Sequence, residues 1–236
     1  MASSLAITWL GHSTFIIGTP AGQRLLIDPW LSNPQCPSTY AKPETVLPLD
    51  AILATHGHPD HIGDLVAVAR AADAPIVCAF EMGRYLEGKG VQHVRDMGVG
   101  GTQDVAGVKV TMTAAVHSGG FIEDGQIVYM GVAGGYILRQ ERMPTIYFAG
   151  DTALFSDMKL IAELYKPEIA FLPIGDHYTM GPDTAAIAAR WLGVRQVVPM
   201  HYGTFPVLWG TPDMLREHLA GSDIEILDFK PGETAQ

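Results

Sequence analysis

Two cysteines, Cys36 and Cys78, are all that a chain of 236 residues contains. That is too few for a disulfide-dense scaffold, and two free thiols in a reducing cytoplasm is the simplest reading. Basic residues are also scarce. Lysine and arginine total 15 against 25 aspartates and glutamates, for a formal net charge of −10. Such a chain lacks the basic footprint that nucleic-acid backbones require. A small anionic substrate stays compatible with it, because a bound cation can outweigh the global field locally. Long apolar runs are missing too. The stretches 49–54 and 168–174 fall far short of the roughly 20 residues of a membrane span. The opening residues MASSLAITWLG have neither the charged region nor the long apolar region of a signal peptide. The expected setting is therefore the cytoplasm, with a small-molecule substrate and with neither nucleic acid nor membrane as partner.

What remains is ordinary globular composition, 47% hydrophobic and 17% charged. It is long enough to bury a core without staples. Short runs rich in Val, Ile, Thr and aromatics recur at 5–10, 14–17, 24–27, 51–54, 76–77, 108–113, 136–138, 145–149, 169–172, 197–198 and 225–227, bounded by Gly, Pro or Asp. Helical spacing occupies 64–72, 80–88, 156–165, 182–192 and 212–219. Ser156 and Thr211 stand at the N-cap positions of two of these, Pro182 opens another, and Gly193 follows it. Both halves begin with strands and then mix strands with helices. No linker rich in Pro, Gly or Ser divides them. One α/β domain over 1–236, with two sheets packed together and helices outside, is the expected architecture. The apolar fraction also permits a homo-oligomer, although no coiled coil demands one.

The strongest chemical signal is Thr55, His56, Gly57, His58, Pro59, Asp60, His61. It follows the apolar run 51–54, so it lies just past a strand end, where α/β folds place chemistry. Four potential ligands within six residues cannot share one direction on a regular strand or helix, but they can converge in a loop. A lone histidine there would read as solvated; three with an aspartate point to a metal. Three further ligand types follow β runs in the same way. His117 ends the run 108–116, Asp151 follows the run 145–148, and His201 follows the run around Val197.

This set, His56, His58, Asp60 and His61 with His117, Asp151 and His201, resembles the HxHxDH signature and later ligands of the metallo-β-lactamase superfamily along nearly the whole chain. Leu10, Gly11, His12, Ser13, Thr14, Phe15, then Ile27, Asp28, Pro29, and the stretch 172–182 are similar to a narrower branch, the compact metal-dependent hydrolases related to ascorbate-6-phosphate lactonase. Where that branch usually carries asparagine and phenylalanine, this chain has His177 and Tyr178. The resemblance implies a four-layer αβ/βα sandwich of two mixed β-sheets with flanking helices. It also implies two divalent ions, one held by His56, His58 and His117, the other by Asp60, His61 and His201, with Asp151 between them. Five imidazoles and two carboxylates suit Zn2+, the first expectation, and equally Mn2+, Fe2+, Ni2+ or Co2+.

Two such ions would lower the pKa of water from 15.7 to about 7 and share the hydroxide that attacks a carbonyl or phosphorus centre. Asp60 would orient it. Asp176 and His177, after the run 169–174, are candidates to protonate a leaving group. His12, Asp28 and Tyr202 are candidates for bracing ligands or touching substrate, with Thr204 beside them. Trp30 and Trp209 lie in loops near these segments, whereas His93 and His218 have no partner motif. The expected reaction is hydrolysis of a small lactone or other ester. A small, even cyclic, phosphodiester is the alternative, and a non-catalytic metal-binding sensor is the third reading.

Overall fold

The computed structural model describes residues 4–236. Its first half runs β1 (Ala6–Trp9), β2 (Phe15–Gly18), β3 (Arg24–Ile27), β4 (Ala51–Leu53), α1 (Pro59–Ile62), α2 (Leu65–Ala71), β5 (Ile76–Ala79), α3 (Phe80–Gly88) and β6 (Val94–Met97). The second half runs β7 (Thr102–Val105), β8 (Val108–Ala114), β9 (Gly120–Glu123), β10 (Gln126–Tyr129), β11 (Gly134–Arg139), β12 (Ile146–Phe148), α4 (Met158–Tyr165), β13 (Ile169–Pro173), α5 (Pro182–Leu192), β14 (Gln196–Met200), α6 (Pro212–His218), β15 (Glu225–Ile226) and β16 (Thr234–Ala235). Two seven-stranded mixed sheets result, ordered β16-β1-β2-β3-β4-β5-β6 and β15-β14-β13-β12-β11-β8-β7. β9 and β10 form a separate hairpin. The last strand returns to the first sheet, pairing Ile7 with Ala235.

The layering follows from the period-2 alternation of a strand. Leu25 and Ile27 enter the core between the sheets, and Leu26 enters the core beneath α2 and α3. On the other sheet Tyr136, Phe148 and Phe171 face inward, while Ile137, Tyr147 and Leu172 pack beneath α4, α5 and α6. Strands buried on both faces must be apolar at every position, which is why the runs read as continuous rather than alternating. This is the four-layer sandwich of the metallo-β-lactamase fold.

Several ends follow local chemistry. α5 starts at Pro182, with Thr184 Oγ1 accepting from Gly181 N at 3.1 Å, and stops at Gly193, whose φ of 67° suits glycine. α6 is capped by Thr211, which accepts from Met214 N at 3.3 Å. Ser156 is not a cap. Its hydroxyl is spent on Asp157 Oδ1 at 3.1 Å, and α4 begins two residues later behind Asp157. Five strands lie outside the expected runs: β6, β7, β9, β10 and β16. Each is short and mixes polar with apolar positions without burying a continuous face.

Topology places the chemistry. β1, β3 and β4 point the same way in one sheet, as do β8, β12, β13 and β14 in the other. Their C-terminal ends therefore gather along one edge of the sandwich. His12, Asp28, His56, His117, Asp151 and His201 each sit just beyond one of those ends. Among the described residues, no helix is long and apolar enough to cross a membrane.

Candidate metal centre

The loop after β4 brings its four ligands together by close approach and an abrupt helix. A Cβ on Gly57 would lie 2.3 Å from Met130 Cβ, so only glycine passes there. His58 then sits at the N-cap of α1, and Asp60 and His61 occupy its single turn. Gly150 lets the loop after β12 turn at φ 63°; a Cβ there would meet Gly134 O at 2.7 Å. His12, Asp28 and His201 also adopt positive φ, at 51°, 49° and 55°. Left-handed backbone at three non-glycine residues of one cluster is strain held by the surrounding packing, as is common where chemistry is done.

Two groups of ligand atoms form. In the outer cradle, His58 Nδ1 lies 3.0 Å from His56 Nε2 and 3.2 Å from His117 Nε2. In the inner cradle, Asp60, His61 and His201 converge, with His12 beside them, all four ligand atoms within 4.8 Å of one another. Asp151 stands between the two. Its Oδ2 is 3.6 Å from His117 Nε2, 3.9 Å from His56 Nε2 and 2.9 Å from His201 Nε2, and its Oδ1 is 3.3 Å from His61 Nε2. All seven ligand candidates thus meet in one place.

Hydrogen bonds at the far side of the rings aim them. His61 Nδ1 donates to Asp28 Oδ2 at 2.8 Å, which leaves Nε2 facing the cluster. Thr55 donates to the same Asp28 oxygen at 2.7 Å and accepts from His56 Nδ1 at 3.0 Å, which frees His56 Nε2 likewise. Asp28 therefore orients one ring directly and a second through Thr55, as carboxylates do behind metal-ligating imidazoles. His12 Nε2 lies 3.1 Å from Asp60 Oδ2, and its Nδ1 lies 2.8 Å from Thr204 Oγ1. Gln35 ties this arm down, its Oε1 accepting from His12 N at 2.8 Å and lying 3.0 Å from Thr204 Oγ1. Ser118 Oγ stands 3.2 Å from His58 Nε2.

The cradles differ electrostatically. Burial pushes the His56, His58 and His117 imidazoles down, so the outer cradle is neutral at pH 7. In the inner cradle burial works the same way, but Asp151 overrides it. His201 is pushed up to about 9, and His61 well up, where Asp28 assists Asp151. Burial would raise Asp60 and Asp151. Hydrogen bonds from His12 and His201 outweigh it at Asp60, and the charge of His201 and His61 does so at Asp151, so both carboxyls stay ionised. His12 drops to about 4, chiefly through burial. A neutral His12 facing an ionised Asp60 must carry its proton on Nε2, which makes Nδ1 the acceptor for the Thr204 hydroxyl.

The donor set fits divalent ions. His61 Nε2 and Asp151 Oδ1 are buried without a hydrogen-bond partner, and both face into the inner cradle. Buried polar atoms are rarely left so, and a cation between them satisfies both. A groove at the opposite edge of the sandwich, about 900 Å³ between Ile7, Pro20, Arg142, Ile169 and Leu227, holds none of these ligands.

A family model described as the beta-lactamase superfamily domain matches residues 23–202. A UPF0173 metal-dependent hydrolase of Koribacter versatilis is 51% identical over 98% of this chain and 97% of its own. The chain belongs to the UPF0173 metal-dependent hydrolases of the beta-lactamase superfamily. Another UPF0173 member, from Methanopyrus kandleri, is 43% identical over 98% of this chain and 99% of its own. Among solved structures, Igni18, a metallo hydrolase from Ignicoccus hospitalis, superposes with a TM-score of 0.86 at 34% identity, covering 98% of this chain and 97% of that one. Membership makes this protein a metal-dependent hydrolase.

Within this UPF0173 site the remaining sequence candidates separate. Asp28 and His12 join the cluster, one behind His61 and the other against Asp60. Asp176 and His177 do not. They turn consecutively through φ 63° and 59°, which leaves His177 exposed with its ring edge-on to Tyr178 at 4.4 Å. Asp176 Oδ1 is occupied by His177 N at 2.5 Å. Tyr202 packs beside the cluster rather than joining it. It stacks on Trp9 at 5.3 Å and packs against two of the three cores, while burial pushes its phenol up. His93 pairs with Asp73 far along the chain from any ligand, at 3.0 Å. Sequence reasoning missed Thr55, Gln35 and Ser118. Thr55 alone carried a signal, as the residue preceding the first histidine.

Proposed function

We propose that this hydrolase opens a small lactone or other ester at a binuclear centre, with zinc as the first-choice ion. His56, His58 and His117 would hold one ion, and Asp60, His61 and His201 the other. The single observation that carries the binuclear reading is Asp151, whose Oδ2 lies between the outer histidines and His201 while its Oδ1 faces His61. When bound, the ions supply hydroxide at neutral pH and polarise the carbonyl.

The chain's own groups do the rest. Asp151 fixes the spacing of the two cradles. Asp28 holds His61, and through Thr55 also His56, with the ligating nitrogens inward. His12 pins Asp60 Oδ2, so Oδ1 is the atom that orients the incoming water. Trp30 and Phe205, stacked at 5.9 Å and each set edge-on to His12, keep bulk water from that side. In the net reaction the acyl C–O bond breaks and a new one forms to the water oxygen, giving an acid and an alcohol.

The test is a chromogenic panel of lactones, linear esters, thioesters and phosphodiesters with metal-stripped and zinc-reloaded protein. Ester or lactone turnover restored by zinc supports the reading. Turnover of phosphodiesters alone would replace it, and zinc binding without any turnover would restore the sensor reading.

A further inference from the structure

The segments that carry and border the metal cluster contain no lysine or arginine. This holds for residues 10–14, 28–36, 54–63, 115–133, 149–157, 174–181 and 201–211. Four of them are tied together at the cluster. Val116 N donates to Thr152 Oγ1 at 3.0 Å, Met180 N to Thr152 O at 3.1 Å, and Gly210 N to Gly175 O at 3.4 Å. Gly175 in turn abuts His201, for a Cβ there would lie 2.1 Å from His201 O. Among the described residues, the carboxylates of the cluster pair with histidines alone. Lys89, which reaches the hairpin from the end of α3, is held by Glu123 at 2.6 Å. Among the described residues no fixed cation is therefore built in to meet a phosphate or carboxylate on the non-reacting part of a substrate, and the net charge of −10 opposes such a group further.

The same segments expose apolar side chains. Val116 is 54% exposed, Tyr178 59%, Val207 42% and Trp209 52%. The β9–β10 hairpin, which leaves the cluster at His117 and Ser118, adds Ile122 and Ile127, cross-strand partners on its outward face. Half-buried Trp30 and Phe205 continue the surface down to His12. Large apolar groups gathered at a reactive edge mark a binding surface rather than chance exposure.

We propose that the substrate is an uncharged ester or lactone whose non-reacting portion is an alkyl or aryl group, held by Trp30, Phe205, Tyr178 and Trp209, and that an anionic group in that portion is rejected. This rests on the hydrolase reading above and narrows it. Each methylene seated on this surface gains at most about 0.8 kcal/mol, or roughly fourfold in affinity. A sulfonate at the same position finds no lysine or arginine on these segments.

Two arms test it on the zinc-loaded protein. The first measures binding of 3-alkylcyclopentanones, which mimic γ-alkyl lactones and cannot be hydrolysed, by quenching of tryptophan fluorescence and by equilibrium dialysis. Affinity is expected to rise twofold to fourfold per methylene from ethyl to hexyl, and to fall at least tenfold when the hexyl tail ends in a sulfonate. Trp209→Ala and Tyr178→Ala, both at exposed positions, are expected to flatten the chain-length slope. The second arm measures kcat/KM for the matching γ-alkyl lactones and their sulfonated counterparts. A flat chain-length series, or equal affinity for the sulfonated ketone, would overturn the proposal. If the ketones follow the expected order while no lactone opens, the substrate preference stands and the reaction assignment above is what fails.

Discussion

The two cradles use the same residue types to opposite effect. The outer one is three imidazoles, His58 and His117 half-buried and His56 buried, neutral at pH 7 and lightly supported, with Ser118 behind His58 and Thr55 behind His56. The inner one is buried and ionic. Asp28 stands behind His61, His12 behind Asp60, and Thr204 and Gln35 behind His12. In physical terms the inner cradle is preorganised for a cation and pays for that with two protonated imidazoles, His61 and His201, whose protons the cation must displace, whereas the outer cradle needs no proton to leave. The inner ion should accordingly bind more tightly and more pH-dependently, and the outer one should exchange more readily.

The largest effect should come from abolishing the boundary. Asp151→Ala removes the one carboxylate common to both cradles. It is expected to lose both ions, by elemental analysis, and activity by on the order of 10³-fold. Retention of a full complement in the inner cradle would break the comparison at its hinge.

Supporting residues come next. Asp28→Asn withdraws the charge behind His61 and weakens the Thr55 link to His56, so the affinity of both cradles should fall about 10- to 100-fold in metal titrations. Thr55→Val should fall on the outer ion alone, by about tenfold or less. His12→Ala should weaken the inner ion about tenfold, while Ser118→Ala at the outer edge changes affinity by roughly threefold or less. An equal response to His12→Ala and Ser118→Ala would show that burial does not separate the cradles.

Protons sharpen the contrast. His201, raised to about 9, and His61, raised as well, are protonated in the metal-free protein at pH 7, so filling the inner cradle should release about two protons. Calorimetry in buffers of different ionisation enthalpy counts them. Inner-cradle affinity should climb as pH rises toward 9, while outer-cradle affinity should already level off above 6.5. Metal-free stability follows the same groups. A raised histidine contributes stability that is fully present below its unfolded value near 6.5 and lost as pH rises through about 9. Asp60 and Asp151, held low, contribute stability present above about 4 and lost as pH falls below it. Melting temperature against pH in chelator should therefore decline on both sides of neutrality, by a few degrees.

The legibility of the site in sequence follows from topology. Six of the cluster residues lie just past β runs, because parallel strands in each sheet end along the same edge, and an apolar run followed at once by His or Asp is readable without a structure. α3 and α5 were readable to the residue because glycine and proline punctuate them. The supporting shell was not. Gln35 reaches Thr204 across 169 residues of sequence, and a single amide or hydroxyl has no spacing to give it away. The β9–β10 hairpin escaped for a related reason. Its Ile122–Ile127 face is turned to solvent, so it lacks the buried alternation that marks a strand. Asp176 and His177 looked catalytic by position after β13, and consecutive left-handed turns carry them out of the cluster instead.

The most direct test of the central claim is a manganese titration of chelator-treated protein followed by electron paramagnetic resonance. Saturation at two ions per chain, with an exchange-coupled signal that disappears in Asp151→Ala, is the predicted result. Saturation at one ion, or two uncoupled ions indifferent to Asp151, would contradict it.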